Sequence, residues 1–192
     1  MEKQAKAPVY LVLLHYPIVN RKGELVTTAV TNMDIHDISR SCRTYGVKKY
    51  FLVTPLDAQH ELVSRILNHW KSDSCQQYHP DRFEAVNLAV LSRDFAEVKS
   101  VIRAETGEDP EVVLTDASLK PSAISYSEYR SEVEDPARTR PVCVVFGTGW
   151  GVAESFYPEV HRILAPVYGP ETYNHLSVRS AVAIILDRLF GH

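Results

Sequence analysis

The 192-residue chain lacks the features of membrane and exported proteins. No apolar run approaches the roughly 18–20 residues that a membrane-spanning helix needs. The first ten residues, MEKQAKAPVY, are polar and lead directly into an apolar stretch, which is not the pattern of a secretory signal. The three cysteines are an odd number at wide spacing, which gives no disulfide framework and is typical of a reducing compartment. We therefore expect a cytoplasmic protein that has no membrane partner.

Several motifs of catalysis and metal binding are also missing. The sequence contains no G-x-S-x-G pattern, which would place a nucleophilic serine on a strand-to-helix turn. Cys75 and His79 lie four residues apart, and His60 and His69 precede them, but a second close pair at zinc-finger spacing is absent. The sequence therefore predicts no metal site.

The net charge of −3 is unevenly distributed along the chain. Residues 1–72 carry ten Lys and Arg against six Asp and Glu, whereas acidic residues dominate further on. A locally basic surface can bind phosphate groups even when the whole protein is acidic. An ordinary solvated surface accounts for the same distribution, so charge alone leaves both interpretations open.

Strand and helix patterns alternate through the chain, which at this length and 45% apolar content fits one domain over residues 1–192. Leu62, Ile66 and Trp70 are spaced for the buried stripe of a helix that Asp57 is placed to cap, and Ser92 is placed to cap the next helix. A polar loop is expected over 71–80, and a long connection with a short helix near 126–133 is expected over 116–140. This alternation predicts an α/β fold, a mostly parallel sheet with helices on both faces. The expected strands are 9–14, 50–54, 86–91, 112–115, 142–146 and 163–167.

A glycine-rich loop, Gly147-Thr148-Gly149-Trp150-Gly151, follows the strand 142–146. Glycine allows positive φ and close backbone approach, so such a loop can be a tight structural turn or can face a ligand. A dinucleotide-binding fingerprint has G-x-G-x-x-G at the first strand-to-helix turn and an acidic residue after the next strand. Here the spacing is G-x-G-x-G, the loop comes late, and the next strand ends in Ala165-Pro166-Val167. A Rossmann or flavodoxin-like oxidoreductase is therefore disfavoured.

Two helix starts are rich in polar residues. Thr31 and Asp34 form a capping-box pattern for a helix that ends near Gly46, and Asp37 and Arg40 lie one turn apart on it. The C-terminal helix is opened by Asn174-His175-Leu176-Ser177. Solvated helix faces with ordinary caps explain either segment taken alone. In the first helix the residues that share one face are Asn32, His36, Ser39 and Arg43.

Taken in order, these motifs resemble the SPOUT (α/β-knot) RNA methyltransferases. The resemblance is carried by His15-Tyr16-Pro17, by TTAVTNMDIHDI over 27–38, by an arginine (Arg40) six residues before Gly46, and by Leu-Ser-Val over 176–178. It covers about 9–190 and is closest to small stand-alone bacterial members without an appended RNA-binding domain. It implies a C-terminal trefoil knot, the cofactor S-adenosylmethionine, a homodimer, and a nucleotide of tRNA or rRNA as substrate. A non-catalytic nucleotide-binding module that acts through protein partners is the alternative.

The resemblance also implies site residues. Arg40 is expected to bind a phosphate or orient the nucleophile, with Asp37 or His36 as the base and Asn32 on the same helix. Several family members have a glutamate in the glycine loop where this chain has Gly149, and many ribose methylators have asparagine in place of Ser177. Base and ribose methylation therefore both remain open. The residues expected to hold the cofactor are Thr115, Asp116, Phe146, Gly147, Thr148, Gly149, Trp150, Gly151, Leu164, Pro166, Asn174, His175, Leu176, Ser177, Val178 and Ala181.

Overall fold

The structure, a computed structural model, describes residues 7–171 and 173–192. Its strands are β1 (Val9–Leu14), β2 (Ile18–Val19), β3 (Leu25–Val26), β4 (Lys49–Val53), β5 (Ala89–Ser92), β6 (Glu111–Thr115), β7 (Ala123–Ile124), β8 (Val142–Phe146) and β9 (Arg162–Leu164). Its helices are α1 (Asn32–Thr44), α2 (Asp57–Trp70), α3 (Asp73–Tyr78), α4 (Pro80–Val86), α5 (Phe95–Thr106), α6 (Tyr126–Glu134) and α7 (Val178–Phe190), with a 3-10 helix at Glu154–Glu159. No helix in the described part of the chain is long and apolar enough to span a membrane.

The main sheet has seven strands in the order β5-β4-β1-β8-β6-β9-β7, and its strand pairs are all parallel. The central strands β1 and β8 are buried along their whole length. Because side chains alternate along a strand, Leu11 and Leu13 pack under α1, α2, α6 and α7, whereas Val12 and Leu14 pack under α5. The predicted parallel sheet with helices on both faces is confirmed, while the C-terminal knot stays a prediction.

The region between α2 and β5 differs from the sequence prediction. Residues 71–80 were expected to form a polar loop, but they contain α3 and the start of α4, which packs on α1. Val86 belongs to α4 and not to a strand, so β5 begins only at Ala89. The reason is that Pro80 occupies the first turn of α4, where its missing N–H costs nothing and its fixed φ favours a helix.

Three local predictions for α2 and α5 were also wrong. Leu62 is exposed, and the buried stripe of α2 is formed instead by Val63 and Leu67. Asp57 lies inside the first turn of α2 and does not cap it. Asp94, not Ser92, caps α5, accepting a hydrogen bond from the Glu97 amide at 2.9 Å.

The carboxyl ends of the parallel strands meet at one edge of the sheet, as they must when every pair is parallel. The loops after β1, β6, β8 and β9 therefore converge there. The β2–β3 hairpin folds against the loop after β8, because Trp150 N–H donates to Val19 O at 3.1 Å and Val19 N–H donates to Gly151 O at 3.0 Å. This convergence positions the candidate site.

Candidate functional site

A large open cavity of about 1110 Å³ lies beyond the carboxyl ends of β1, β6 and β8. Small-molecule sites typically enclose about 300–1,000 Å³, so the cavity is large enough for a nucleoside-sized ligand. Its walls come from the loop before α1, the loop after β6, the glycine loop after β8, and the segment leading into α7. The residues that line it are His15, Thr28, Ala29, Asp34, Thr115–Leu119, Phe146–Val152, Val167, Tyr168, Asn174–Leu176, Val178, Arg179, Ala181 and Ile185.

The cavity combines an apolar base with ordered polar groups. Phe146 and Ile185, both buried, supply apolar surface. Asp116 accepts hydrogen bonds from Ser118 N–H at 2.8 Å and Ser118 Oγ at 2.7 Å, and it lies 3.2 Å from the Lys120 ammonium. Burial alone would raise the pKa of Asp116, but the bonds from Ser118 and Lys120 lower it below its ordinary value. The cavity wall therefore carries an ionised carboxylate, a suitable acceptor for ribose hydroxyls.

The conformation of the glycine loop depends on its contacts with the β2–β3 hairpin. Gly149 has φ +57°, and a Cβ there would lie 3.0 Å from Ile18 Cγ2 and 3.4 Å from Val19 O. Glycine at this position therefore permits close approach of the hairpin. The amide of Gly151, whose φ is +110°, donates to Thr148 O at 3.1 Å. The amides of Trp150 and Gly151 are thus used within the fold, so a ligand would meet other groups of the loop.

A chain of hydrogen bonds links the end of β1 to the glycine loop. Thr148 Oγ1 donates to Leu14 O at 3.0 Å, and Thr28 Oγ1 lies 2.5 Å from Thr148 Oγ1. His15 Nδ1 lies 2.9 Å from Thr28 Oγ1. Because the Thr148 hydroxyl donates its hydrogen to Leu14 O, the Thr28 hydroxyl must donate to Thr148 Oγ1 and accept from His15 Nδ1. The geometry therefore assigns the proton of the imidazole to Nδ1.

The other ring nitrogen of His15 is a buried acceptor without a partner. The side chain is fully buried, and Nε2 has no hydrogen-bond partner among residues 7–171 and 173–192. Burial lowers the pKa of His15 to about 4, against the opposing charge of Asp34. His15 is therefore neutral under ordinary conditions. Sequence reasoning assigned it no role in the site, although His15-Tyr16-Pro17 marks the end of the first strand.

An ion-pair cluster joins the starts of α1 and α7. The buried carboxylate of Asp34 accepts from Thr31 N–H at 3.1 Å and Thr31 Oγ1 at 2.6 Å, which completes the predicted capping box. Its other oxygen pairs with Arg179 Nη1 at 3.0 Å, and Arg179 Nε lies 3.5 Å from Asp37 Oδ2. A cation in the first turn of a helix is unfavourable unless it is paired. That signal in the sequence could have identified Arg179 as part of the site.

The structure brings most of the expected cofactor residues to one cavity. The exceptions are Leu164, which is buried at the end of β9, Pro166 in the following segment, and Ser177, whose Oγ accepts from Ser180 N–H as the cap of α7. The predicted cofactor residues that line this cavity are Thr115, Asp116, Phe146, Gly147, Thr148, Gly149, Trp150, Gly151, Asn174, His175, Leu176, Val178 and Ala181.

The four residues expected to act on the acceptor lie on α1 and not in the cavity wall of the single chain. Asn32 and Arg40 are exposed. His36 packs edge-on against Trp70, with ring centroids 4.9 Å apart, so it faces α2. Asp37 lies outside the cavity wall and pairs with Arg179, which lines the cavity. In the described part of the chain, no group of three or more His, Cys, Asp or Glu side chains could hold a metal ion.

An open parallel α/β sheet with a nucleoside-sized cavity at its carboxyl edge defines a protein that binds a small polar cofactor. The chain belongs to a family of S-adenosylmethionine-dependent RNA methyltransferases, whose model matches residues 8–191. S-adenosylmethionine is therefore its cofactor. The cavity fits this molecule, because an apolar base suits adenine and the ionised Asp116 suits a ribose.

Two relatives are similar over nearly the whole chain. An uncharacterized protein of Aquifex aeolicus is 43% identical over 183 residues, covering 95% of this chain and 88% of that protein. A tRNA (guanine-N(1)-)-methyltransferase of Nitratidesulfovibrio vulgaris is 40% identical over 183 residues, again covering 95% of this chain. The chain spans only 42% of the length of that methyltransferase.

Solved structures of low sequence identity share the fold. A probable methylase family protein of Haemophilus influenzae superimposes with a TM-score of 0.60 at 18% identity, covering 95% of this chain and 65% of that one. The TrmH/SpoU tRNA modifying enzyme of A. aeolicus gives 0.53 at 15% identity, covering 98% of this chain and 76% of that one. The fold is therefore the one found in SPOUT methyltransferases.

Proposed function

We propose that this chain methylates a nucleotide of tRNA or rRNA and that its large cavity is the cofactor site. The observation that carries the assignment is the convergence of the loop after β6, the glycine loop and the start of α7 on one nucleoside-sized space. The name of the N. vulgaris relative favours a tRNA base as the acceptor. Since that relative is more than twice as long, its activity enters here only as part of the proposal.

In this proposal the cavity residues bind and orient the cofactor. In this proposal Phe146 and Ile185 pack against the adenine, the Asp116 carboxylate accepts from ribose hydroxyls, and Asn174 holds the neighbouring loop through its 2.6 Å bond to Ala117 O. When bound, S-adenosylmethionine supplies a methyl group on a positively charged sulfur. Transfer of that group is a displacement in which alignment can contribute up to about 7–11 kcal/mol. The fixed loops are the parts of the chain that provide the alignment.

We further propose that the acceptor is met by α1, whose candidate residues are Asn32, His36, Asp37 and Arg40. Burial and the charge of Arg82 lower the pKa of His36, which favours the neutral form that a base requires. Arg40 is exposed and lies outside the cavity of its own chain. A homodimer in which α1 of one chain approaches the cavity of the other would bring the two sets together.

The remaining parts of the proposal concern the whole molecule. In this proposal the described residues, 7–171 and 173–192, form a single SPOUT-type domain with the C-terminal trefoil knot. The protein works in the cytoplasm, which suits an RNA substrate and the three buried free cysteines Cys42, Cys75 and Cys143.

Calorimetry with S-adenosylmethionine and S-adenosylhomocysteine tests the cofactor site, with NAD as the control ligand. We expect binding near one molecule per chain. Ala181 lines the cavity on α7, whereas Ala104 is exposed on α5. Ala181→Leu should weaken binding strongly because the larger side chain enters the cavity, and Ala104→Leu should leave binding intact. Failure of the folded protein to bind either sulfur ligand, or binding that Ala181→Leu leaves unchanged, would contradict the assignment.

Transfer of labelled methyl groups to bulk tRNA and rRNA tests the enzymatic proposal. Arg40→Ala should lose transfer while retaining cofactor binding, with Arg65→Ala as the control because Arg65 is exposed on α2. Cofactor binding without transfer to either RNA would favour the alternative, a binding module that acts through protein partners.

A further inference from the structure

A second cavity adjoins the first one. It measures about 860 Å³ and lies between the β2–β3 hairpin and the 3-10 helix that follows the glycine loop. Trp150 and Val152 line both cavities, so the two cavities meet at these residues. A molecule bound in the second cavity would therefore lie immediately beside the cofactor site.

The side chain of Trp150 is unusual for such a wall. It is 63% exposed although the backbone on both sides of it is fixed by hydrogen bonds to the hairpin. A large aromatic ring held in the open on a rigid loop provides a flat surface for stacking. Stacking of a nucleobase on an aromatic side chain contributes about 1–3 kcal/mol per base and depends little on base identity.

One cation lies near this ring, and a second one lines the same cavity. The guanidinium of Arg21, at the turn of the hairpin, lies 5.9 Å from the centre of the Trp150 ring. Lys120 lines the second cavity, where its ammonium is 3.2 Å from Asp116 and 6.0 Å from the centre of the Tyr157 ring. An exposed aromatic ring in a cavity region that also holds cations matches a base with its adjoining phosphates.

We propose that the second cavity receives the acceptor nucleotide, with its base stacked on Trp150 and its phosphates near Arg21 and Lys120. This inference rests on the proposed function of the first cavity. It separates two roles of one residue: the backbone of Trp150 belongs to the loop that borders the cofactor, whereas its side chain faces the RNA. Glu154, exposed in the same cavity, is an acceptor for N–H groups on the edge of the stacked base.

RNA binding to protein saturated with S-adenosylhomocysteine tests the inference. The probes are a fluorescein-labelled single-stranded RNA of mixed sequence and bulk tRNA. Trp150→Ala should weaken RNA binding about 5- to 150-fold, the equivalent of one lost stacking interaction. Because Trp150 also lines the first cavity, the variant's affinity for S-adenosylhomocysteine should fall by a smaller factor than its affinity for RNA. Trp150→Phe should restore most of the RNA affinity, and Tyr78→Ala, which removes a remote exposed ring on α3, should have no effect.

The charge contribution is tested by salt titration. Arg21→Ala should reduce the salt dependence of RNA binding by roughly one phosphate contact. Lys48→Ala is the matched control, since Lys48 precedes β4 at the opposite edge of the sheet. Unchanged RNA affinity in Trp150→Ala, or an equal loss of cofactor and RNA affinity, would overturn the inference. Absence of cofactor binding in the unaltered protein would instead refute the proposed function itself.

Discussion

Thr28→Val, which removes one hydroxyl group, should destabilise the protein far more than the small change in side-chain volume suggests. Valine has nearly the shape of threonine, so the change leaves no large cavity. Thr28 Oγ1 both accepts from His15 Nδ1–H at 2.9 Å and donates to Thr148 at 2.5 Å. Its loss leaves a donor on a fully buried imidazole without an acceptor.

The magnitude follows from that unsatisfied donor. A buried polar group that loses its partner costs about 1–3 kcal/mol, and the lost bond to Thr148 contributes about 0.5–1.5 kcal/mol more. We expect the free energy of unfolding to fall by about 2–3 kcal/mol, a large share of the roughly 5–15 kcal/mol that stabilises a typical domain. S-adenosylmethionine should also bind less tightly, because Thr148 no longer connects the glycine loop to Thr28.

Urea denaturation measures the change, and Thr27→Val is the matched control. Thr27 is the neighbouring residue, is also half-buried, and belongs to the same segment before α1. A second measurement addresses the premise directly, since nitrogen NMR distinguishes the two imidazole tautomers and should show the proton of His15 on Nδ1. A Thr28→Val protein within about 0.5 kcal/mol of Thr27→Val, or a proton on Nε2, would refute the reasoning.

Two further predictions concern groups beside the same cavity. Because burial lowers the pKa of His15 from 6.5 to about 4, the unfolded chain binds the proton more readily, and stability should fall as the pH decreases through that window. The free energy of unfolding should be about 3 kcal/mol lower at pH 4 than above pH 6.5. Denaturation experiments across pH should show no such decrease in His15→Gln. Asp34→Ala should cost about 2 kcal/mol or more, because it removes the Asp34 half of the α1 capping box and leaves Arg179 without its buried partner. Asp57→Ala breaks only an exposed ion pair and should change stability by less than about 1 kcal/mol in the same assay.

The sheet and its edge were predictable because the signals are local. The continuous apolar runs of β1 and β8 lie where the sequence placed them, since strands buried on both faces show no alternation. The capping box of Thr31 and Asp34 was equally visible, because its partners are three residues apart. The glycine loop could be located for the same reason, as it follows β8 directly.

Contacts between distant parts of the chain could not be predicted in this way. Thr28 and Thr148 are 120 positions apart and meet only because β1 and β8 are neighbours in the sheet, a pairing that periodicity does not reveal. The contact between Gly149 and the β2–β3 hairpin was not predicted from the sequence either. Two-residue strands such as β2 and β3 are too short to show a hydrophobic pattern in the sequence. In the structure, β2 nevertheless packs against one side of the glycine loop at Gly149.

Asp34 shows why two sequence motifs that look independent belong to one site. Read alone, it is a helix cap, and its carboxylate does satisfy Thr31 at the start of α1. Its second oxygen binds Arg179, 145 positions away at the start of α7, and Arg179 in turn reaches Asp37. A substitution at Asp34 therefore disturbs both the helix expected to face the acceptor and the helix that borders the cofactor cavity. The acidic residues at the start of α1 and the arginine at the start of α7 are therefore required together, because each neutralises the charge of the other.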